Sequence, residues 1–345
     1  MISIILPIRN EVLFINKTLL SILSQSYSGE IEILISDGMS TDGTREIVKD
    51  FQLENSFIQL IDNPEKIVST GFNRALSVAK GNIIIRVDGH TTIDKDYLIK
   101  SVSNLINKKC DCTGGLIKSD GDSIIAKNIT FATRSKFGIG NSKFHYSNEP
   151  CWTDTVYLGA YKREVFDEIG GYDEDLNRNQ DDEFNFRLIQ NGGNIWLDPS
   201  IKSSYVARNS LSGLFKQYFQ YGFYKVRVMQ KRRGFASWRH LVPGVFVLSL
   251  LVSLYLYFIN NSPTPFILIG VPYVLLSIIF SIAELFKSPK YISSIILLAI
   301  TYFILHFSYG IGFLSGMIYF FNKWNDTNLI DSHFNRDTFN ENTLS

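Results

Sequence analysis

Acidic residues fall at three places in the first 200 residues where their neighbours suit them to chemistry. Asp37 follows the apolar run Ile31-Glu32-Ile33-Leu34-Ile35-Ser36 and opens a loop that continues Gly38-Met39-Ser40-Thr41-Asp42-Gly43. Asp88 closes Ile83-Ile84-Ile85-Arg86-Val87 and is followed by Gly89 and His90. Asp181 and Asp182 precede Glu183 after Gln180. A carboxylate at the end of a buried strand sits where ligands bind in an open parallel sheet. It can grip a ribose or base there, or hold a metal on a diphosphate, while a later acid serves as general base. Together they point to sugar transfer from a nucleoside diphosphate.

Such a transfer needs three groups. The nucleoside must be held, and Asp37 can accept bonds from base N–H or ribose O–H groups. The leaving diphosphate must be neutralised, and Asp88 with His90 can share one divalent cation, a Lewis-acid contribution of several kcal/mol. The imidazole favours Mn²⁺ without excluding Mg²⁺. The acceptor hydroxyl must lose a proton, and Asp181 can take it as general base. Its place at a helix start favours the ionised form. Each motif also has a plainer reading. Two Asp-Gly pairs make an ordinary turn. His90 can bond within a turn and leave Asp88 to ligate alone. Asp181, Asp182 and Glu183 can be simple helix-start acids, with Arg187 one turn on pairing with Glu183.

These acids need a scaffold, and the hydrophobic pattern supplies one. Strands are expected over 2–8, 31–36, 56–61 and 82–87. Helices are expected from Asn10 to about Tyr27, from Thr41 or Asp42 to about Phe51, over 70–79 and over 95–107. The alternation implies an α/β, doubly wound, mostly parallel sheet with helices on both faces. Glycines break up 111–160, where one or two strands and a mobile loop around 134–152 are expected. A strand at 156–158, helices at 162–169 and 181–191, and a strand at 195–197 follow.

Composition divides the 345 residues further. No Asp, Glu, Lys or Arg occurs from Leu241 to Ala283 or from Tyr291 to Asn322. Runs this long suit the roughly 30 Å hydrocarbon core of a bilayer. Spans are expected at about 241–259, 265–284 and 291–320, the last longer than a crossing needs. Three full crossings would put the tail opposite the catalytic side, and a last run that does not cross would return it. The net charge of +1 hides a basic collar: Lys216, Lys225, Arg227, Lys231, Arg232, Arg233 and Arg239, with no acid among them. With its aromatics, 211–233 reads as an interfacial helix or as an ordinary amphipathic helix on the globular domain. Anionic lipid is a simpler partner than nucleic acid. The collar, with Lys287 and Lys290, places this side in the cytoplasm. Cys110, Cys112 and Cys151 read as reduced thiols, and no cleavable leader is expected. The expected domains are 1–210 catalytic, 211–240 linker, 241–322 transmembrane and 323–345 polar tail.

At these residues the chain resembles glycosyltransferase family 2, which has the GT-A fold. The likeness covers about residues 1–200. It is carried by Ile4-Ile5-Leu6-Pro7-Ile8-Arg9-Asn10-Glu11, Ser36 to Thr44, Gly71-Phe72-Asn73-Arg74-Ala75, Ala79-Lys80-Gly81, Arg86-Val87-Asp88-Gly89-His90 and Gln180-Asp181-Asp182-Glu183. The Asp-Gly-His form and the membrane run after the catalytic domain are similar to the succinoglycan-biosynthesis branch. The resemblance implies inverting transfer from a nucleotide sugar, a UDP-sugar favoured. Pro7, Arg9, Glu11, Asp37, Asn73 and Asp88 would bind the donor, Asp88 and His90 the metal, and Asp181 would be the base. His90 stands where many relatives carry a second Asp, and Gln180 where they commonly carry Glu. No Gln-x-x-Arg-Trp of processive synthases occurs, so one sugar per acceptor is expected. The expected enzyme is a membrane-anchored transferase acting on a polyprenyl-diphosphate-linked glycan for surface polysaccharide. Its rivals are a polyprenyl-phosphate glycosyltransferase and, from another class, a membrane carrier with a nucleotide-binding head. A dinucleotide oxidoreductase is disfavoured because Pro7-Ile8-Arg9-Asn10 stands where Gly-x-Gly-x-x-Gly would be.

Overall fold

The computed structural model describes residues 1–121, 123–234, 237–287, 294–328, 333 and 334. Lys290 and the first residues of the expected third span lie outside them, as does most of the tail. The chain forms two compact units: one from Met1–Lys118, Ser147–Tyr205 and Asn328–Ser345, the other from Ser119–Tyr146 and Val206–Thr327.

The first unit begins β1 (Ile2–Ile8), α1 (Ile15–Leu23), β2 (Ile31–Asp37), α2 (Thr44–Glu54), β3 (Ile58–Asp62), α3 (Val68–Val78) and β4 (Ile83–Arg86). Its four strands pair in parallel in the order β3-β2-β1-β4. All seven residues of β1 are buried. That is why it reads as an unbroken apolar run rather than an alternating one. Helix α1 starts later than Asn10. Asn10 has φ 54°, its N–H donates to Ser40 Oγ and its Oδ1 accepts from Thr41 N–H. The residue expected to cap a helix instead ties one loop to another.

After β4 the chain adds β5 (Thr91–Ile93), α4 (Tyr97–Asn107) and β6 (Cys112–Asp120). The stretch expected to be irregular holds α5 (Ile124–Arg134) and α6 (Lys136–Ile139). Ser123 caps α5 by accepting from Ala126 N–H, a helix-start signal that the surrounding glycines obscured. The first unit resumes with β7 (Cys151–Thr153), β8 (Tyr157–Lys162), α7 (Arg163–Ile169), α8 (Gln180–Gln190) and β9 (Ile195–Val206). The sheet extends past β4 as β8-β6-β9-β5, and β7 pairs with β9. Strand β8 is antiparallel to β4 and to β6, so the sheet is mixed, with its parallel half where the alternation predicted it.

Helix α8 is fastened by the Glu183–Arg187 pair. Glu183 is fully buried and Arg187 nearly so, joined by Nε–Oε1 and Nη2–Oε2 contacts of 3.0 Å. Arg187 also donates to the carbonyls of Ile169 and Gly171, which ties the last turn of α8 to the end of α7.

The second unit contains α5 and α6, then α9 (Leu211–Lys231), α10 (Val242–Asn260), α11 (Thr264–Phe286) and α12 (Ile295–Tyr319). Three helical stretches, Trp238–Asn260, Thr264–Phe286 and Ile295–Tyr319, are long and apolar enough to cross a membrane. The third differs from the others. Of its most apolar stretch 39% is buried inside the protein, against 17% and 11%. Helix α12 runs parallel to α9 through small residues. A Cβ at Gly222 would lie 2.1 Å from the Tyr309 carbonyl, and one at Gly312 2.1 Å from that of Phe219. At the far end Gln230 donates to the Phe320 carbonyl, and Arg227 donates to the Lys323 and Asp326 carbonyls and pairs with the Asp326 carboxylate. The collar is therefore not uniformly displayed: Lys225, Arg227 and Lys231 are buried within this unit. Deeper in, Tyr273 donates to His306 Nδ1, whose Nε2 donates to the Phe137 carbonyl.

Glu183→Ala would strand a buried guanidinium, at a cost of about 3–5 kcal/mol. Thermal unfolding in detergent should show a Tm several degrees lower.

Candidate active site

Parallel pairing sets the site. In register, Ile8 of β1 lies beside Asp37 of β2, and Ile5 of β1 beside Arg86 of β4. The chain leaves all three strands at one edge, so residues 9–11, 37–44 and 88–90 share it. Gly38 N–H donates to the Ile8 carbonyl. Thr18 of α1 donates to the Gly89 carbonyl. A Cβ at Gly89 would lie 2.8 Å from the Ile8 side chain, so glycine lets the Asp-Gly-His turn press against β1.

Asp37 is fully buried. Its Oδ2 accepts from Ser40 N–H at 3.0 Å and from Arg45 Nη1 at 2.7 Å, and its Oδ1 accepts from the Ser40 hydroxyl. Arg45 also reaches Asp62 at 2.7 Å. Hydrogen bonds to Asp62 and Asp37 push its guanidinium pKa up further. Asp37 thus shapes the 37–44 loop from within. Pro7 is buried in β1, and the Arg9 side chain lies over Gly38. Glu11 takes its place from Thr44, whose hydroxyl accepts the Glu11 N–H at 2.8 Å, and its Oε1 meets His90 Nδ1 at 2.8 Å.

Asp88 is largely buried. Its Oδ1 accepts from Arg86 Nε and Nη2, each at 2.9 Å, and its Oδ2 from the Tyr157 hydroxyl at 3.2 Å. Burial alone would raise this carboxyl, but Arg86, His90 and these hydrogen bonds outweigh it and hold the pKa below the usual range. Burial pushes Tyr157 well up, so its hydroxyl stays protonated and able to donate. Asp181 sits in the first turn of α8. Its side chain is 40% exposed and its Oδ2 is 3.7 Å from Arg86 Nη1. Direct contacts thus link Glu11 to His90 and Asp88 to Arg86, with Asp181 against the other side of that guanidinium, and Asp37 joins through the loop that holds Glu11.

Asn73 is placed differently. It is fully buried, its amide donates to the Tyr172 carbonyl and Glu174, and its Oδ1 accepts the Tyr172 N–H at 2.8 Å. It bears on the site through Tyr172, which stacks on Phe72 at 4.1 Å and lies under Arg86 at 5.8 Å. Arg86, Tyr157 and Tyr172 were given no role from sequence. Only Arg86 left a signal there, as a charge inside an apolar strand, where a buried cation needs an acid partner.

Among the described residues no three His, Cys, Asp or Glu side chains gather as a protein-only metal cage. A cation that shares the donor's phosphates needs only one or two carboxylates from the protein. Asp88, with His90 two residues on and Glu11 against it, fits that second kind of site.

The family model for Glycosyl transferase family 2 matches residues 3–170. The chain is 31% identical over 242 residues to the succinoglycan biosynthesis protein ExoA of Rhizobium meliloti (strain 1021), covering 70% of this chain and 73% of that protein. The chain belongs to glycosyltransferase family 2. This family 2 enzyme is also 31% identical over 333 residues to a dolichyl N-acetyl-alpha-D-glucosaminyl phosphate 3-beta-D-2,3-diacetamido-2,3-dideoxy-beta-D-glucuronosyltransferase of Methanococcus voltae, covering 92% of this chain and 97% of that one. Its fold matches that of the mannosyltransferase PcManGT from Pyrobaculum calidifontis, solved with GDP-Man and Mn²⁺, at a TM-score of 0.59 and 17% identity over 91% of this chain and 86% of the other. The expected GT-A fold and the expected glycosyltransferase activity both stand.

Asp88 is held ionised, and the sign follows. A carboxyl lowered on folding contributes its full stability above the unfolded value of about 4 and loses it only as pH falls through the lower folded value. If Asp88 holds the donor's cation, Asp88→Asn should weaken Mn²⁺-dependent UDP or GDP binding at least about tenfold at pH 7, as read by calorimetry.

Proposed function

We propose that this family 2 enzyme moves a single sugar, with inversion, from a nucleoside diphosphate sugar to a polyprenyl-diphosphate-linked glycan in surface-polysaccharide synthesis. The observation that carries the reading is Asp88 and Asp181 on opposite sides of one buried guanidinium, at the edge where β1, β2 and β4 end. Asp88 would hold the diphosphate through a divalent cation, Mn²⁺ or Mg²⁺, with His90 as second ligand, and that cation would neutralise the leaving oxygen. Pro7, Arg9, Glu11 and Asp37 would line the nucleoside side. Asp181 would accept the proton of the acceptor hydroxyl as its oxygen bonds to the anomeric carbon. The bond from that carbon to the diphosphate breaks, and the nucleoside diphosphate leaves with the electron pair. The ExoA relative supports the polysaccharide context, the Methanococcus relative supports a lipid-linked sugar as acceptor, and the Mn²⁺ in PcManGT supports the cation.

We further infer that α10 and α11 cross the membrane as a hairpin while α12 lies along its cytoplasmic surface. Helix α9 carries Lys216, Lys225, Arg227 and Lys231 and cannot enter the hydrocarbon core cheaply. Helix α12 packs beside it, which supports a shared depth. His333 Nδ1 lies 2.8 Å from Glu174 of the catalytic unit. That contact supports a tail on the catalytic side, as two crossings give and three do not.

Asp181→Asn should cut transfer by at least about a thousandfold, within the range ascribed to a general base, while calorimetric UDP or GDP binding persists. Full turnover in that variant would remove Asp181 from the mechanism. A panel of UDP- and GDP-sugars with lipid-linked sugar against bare polyprenyl phosphate, with the product anomer read by NMR, tests donor, acceptor and stereochemistry. For topology, a cysteine introduced next to His333 (Phe334→Cys, with Cys151→Ser to remove the half-buried native thiol) should be shielded from an impermeant thiol reagent in intact cells and labelled in inverted vesicles. Labelling in intact cells would require a third crossing.

A further inference from the structure

Arg86 is the last residue of β4, inside an otherwise apolar strand, with a side chain only 9% exposed. Two of its three nitrogens are spent on one acid, since Nε and Nη2 both contact Asp88 Oδ1 at 2.9 Å. Among the described residues the third, Nη1, is buried with no partner at good hydrogen-bond geometry, although the Tyr172 hydroxyl comes near enough to act on the guanidinium. Its closest acidic neighbour is Asp181, 3.7 Å away at Oδ2, too far for a hydrogen bond. A buried charged donor left unpaired is costly, and such groups call for an explanation. The guanidinium cannot turn away to find water. Asp88 holds one edge, and the ring of Tyr172, fixed by Phe72 and Asn73, lies against its face at 5.8 Å. Nη1 is therefore aimed at Asp181 by the fold.

We propose that Arg86 is a positioning residue that ties the general base to the acid holding the diphosphate. Its Nη1 closes onto Asp181 in the loaded enzyme, fixing the carboxylate's place for the acceptor proton. This rests on the reading of Asp181 as base. The groups that act on Asp181 are consistent with it. Arg86 faces it from the end of β4, Tyr161 from β8 and Tyr172 from the loop before α8. Both tyrosines are pushed up by burial and stay neutral. On its own helix Asp182 and Glu183 are acids, and Arg187 is engaged by Glu183. Arg86 supplies the positive charge in this surrounding. A planar, always-charged fork that serves two acids at once is a task for arginine and not for lysine.

The test compares Arg86→Gln, Arg86→Lys and Asp181→Asn in the full-length protein, with steady-state kinetics. For Arg86→Gln kcat should fall further than for Arg86→Lys, by about a hundredfold, because nothing then fixes the place of Asp181. Arg86→Lys keeps the charge but cannot hold both acids. It should lower kcat about tenfold with the donor KM within about threefold, the pattern of an interaction made in the transition state. If Arg86→Gln does not fold, the Arg86→Lys split alone decides. An unchanged kcat with a raised donor KM overturns the proposal and makes Arg86 a donor-binding group. Asp181→Asn separates the two ideas. If it keeps full turnover, the base assignment and this inference fall together. If it is inactive while the arginine variants leave kcat unchanged, only this inference falls.

Discussion

Parallel pairing constrains everything else in the catalytic unit. Strands that run the same way end at the same edge, so the loops after β1, β2 and β4 must meet there. Glu11, the Asp37 loop and the Asp88-Gly89-His90 turn are neighbours for that reason, though they lie far apart along the chain. The one-residue register between Ile8 and Asp37 decides that the buried acid stands beside the segment carrying Arg9 and Glu11. A slip by one position would turn alternate side chains to the other face of the sheet.

Within that edge, charge is balanced by short, directed contacts rather than by solvent. Asp37 is met by Arg45, Asp88 by Arg86, and Glu183 by Arg187. Arginine serves in each case because its fork can hold one acid and still reach a second acceptor. Arg45 reaches Asp62, and Arg187 reaches two carbonyls at the end of α7. Arg86 is the exception, with one nitrogen still unmatched. Its support is indirect but continuous: Asn73 fixes the Tyr172 backbone, and Tyr172 lies against the guanidinium.

The second unit follows different rules. Helix α9 carries cations along its length, yet Lys225, Arg227 and Lys231 are buried, and glycines on α9 and α12 let those two helices approach closely. Small residues at such crossings are the usual device for packing helices in or on membranes. His306 has a defined tautomer because Tyr273 donates to one ring nitrogen and the other donates to a carbonyl. Its polarity is satisfied within the unit, which makes a polar residue tolerable in an otherwise apolar helix.

The parallel half of the sheet, the strand-end acids, the Glu183–Arg187 pair and the apolar C-terminal helices were all legible in the order of residues. Those features are local: a buried strand, a helix turn or a span is written in the spacing of adjacent residues. Family membership was legible for a related reason, since its motifs lie at the strand ends. Three things waited for the folded molecule. Helices α5 and α6 were hidden because Gly138 and Gly140 look like loop residues until their packing is known. Asn73, which the family resemblance places at the donor, is seen in the fold to hold the Tyr172 backbone as well. Arg86 was visible as a misplaced charge, but its two acid neighbours come from positions 88 and 181, and Tyr157 and Tyr172 join from other elements. Side-chain contacts between distant segments depend on how sheet and helices close on one another, and no local periodicity encodes that closure.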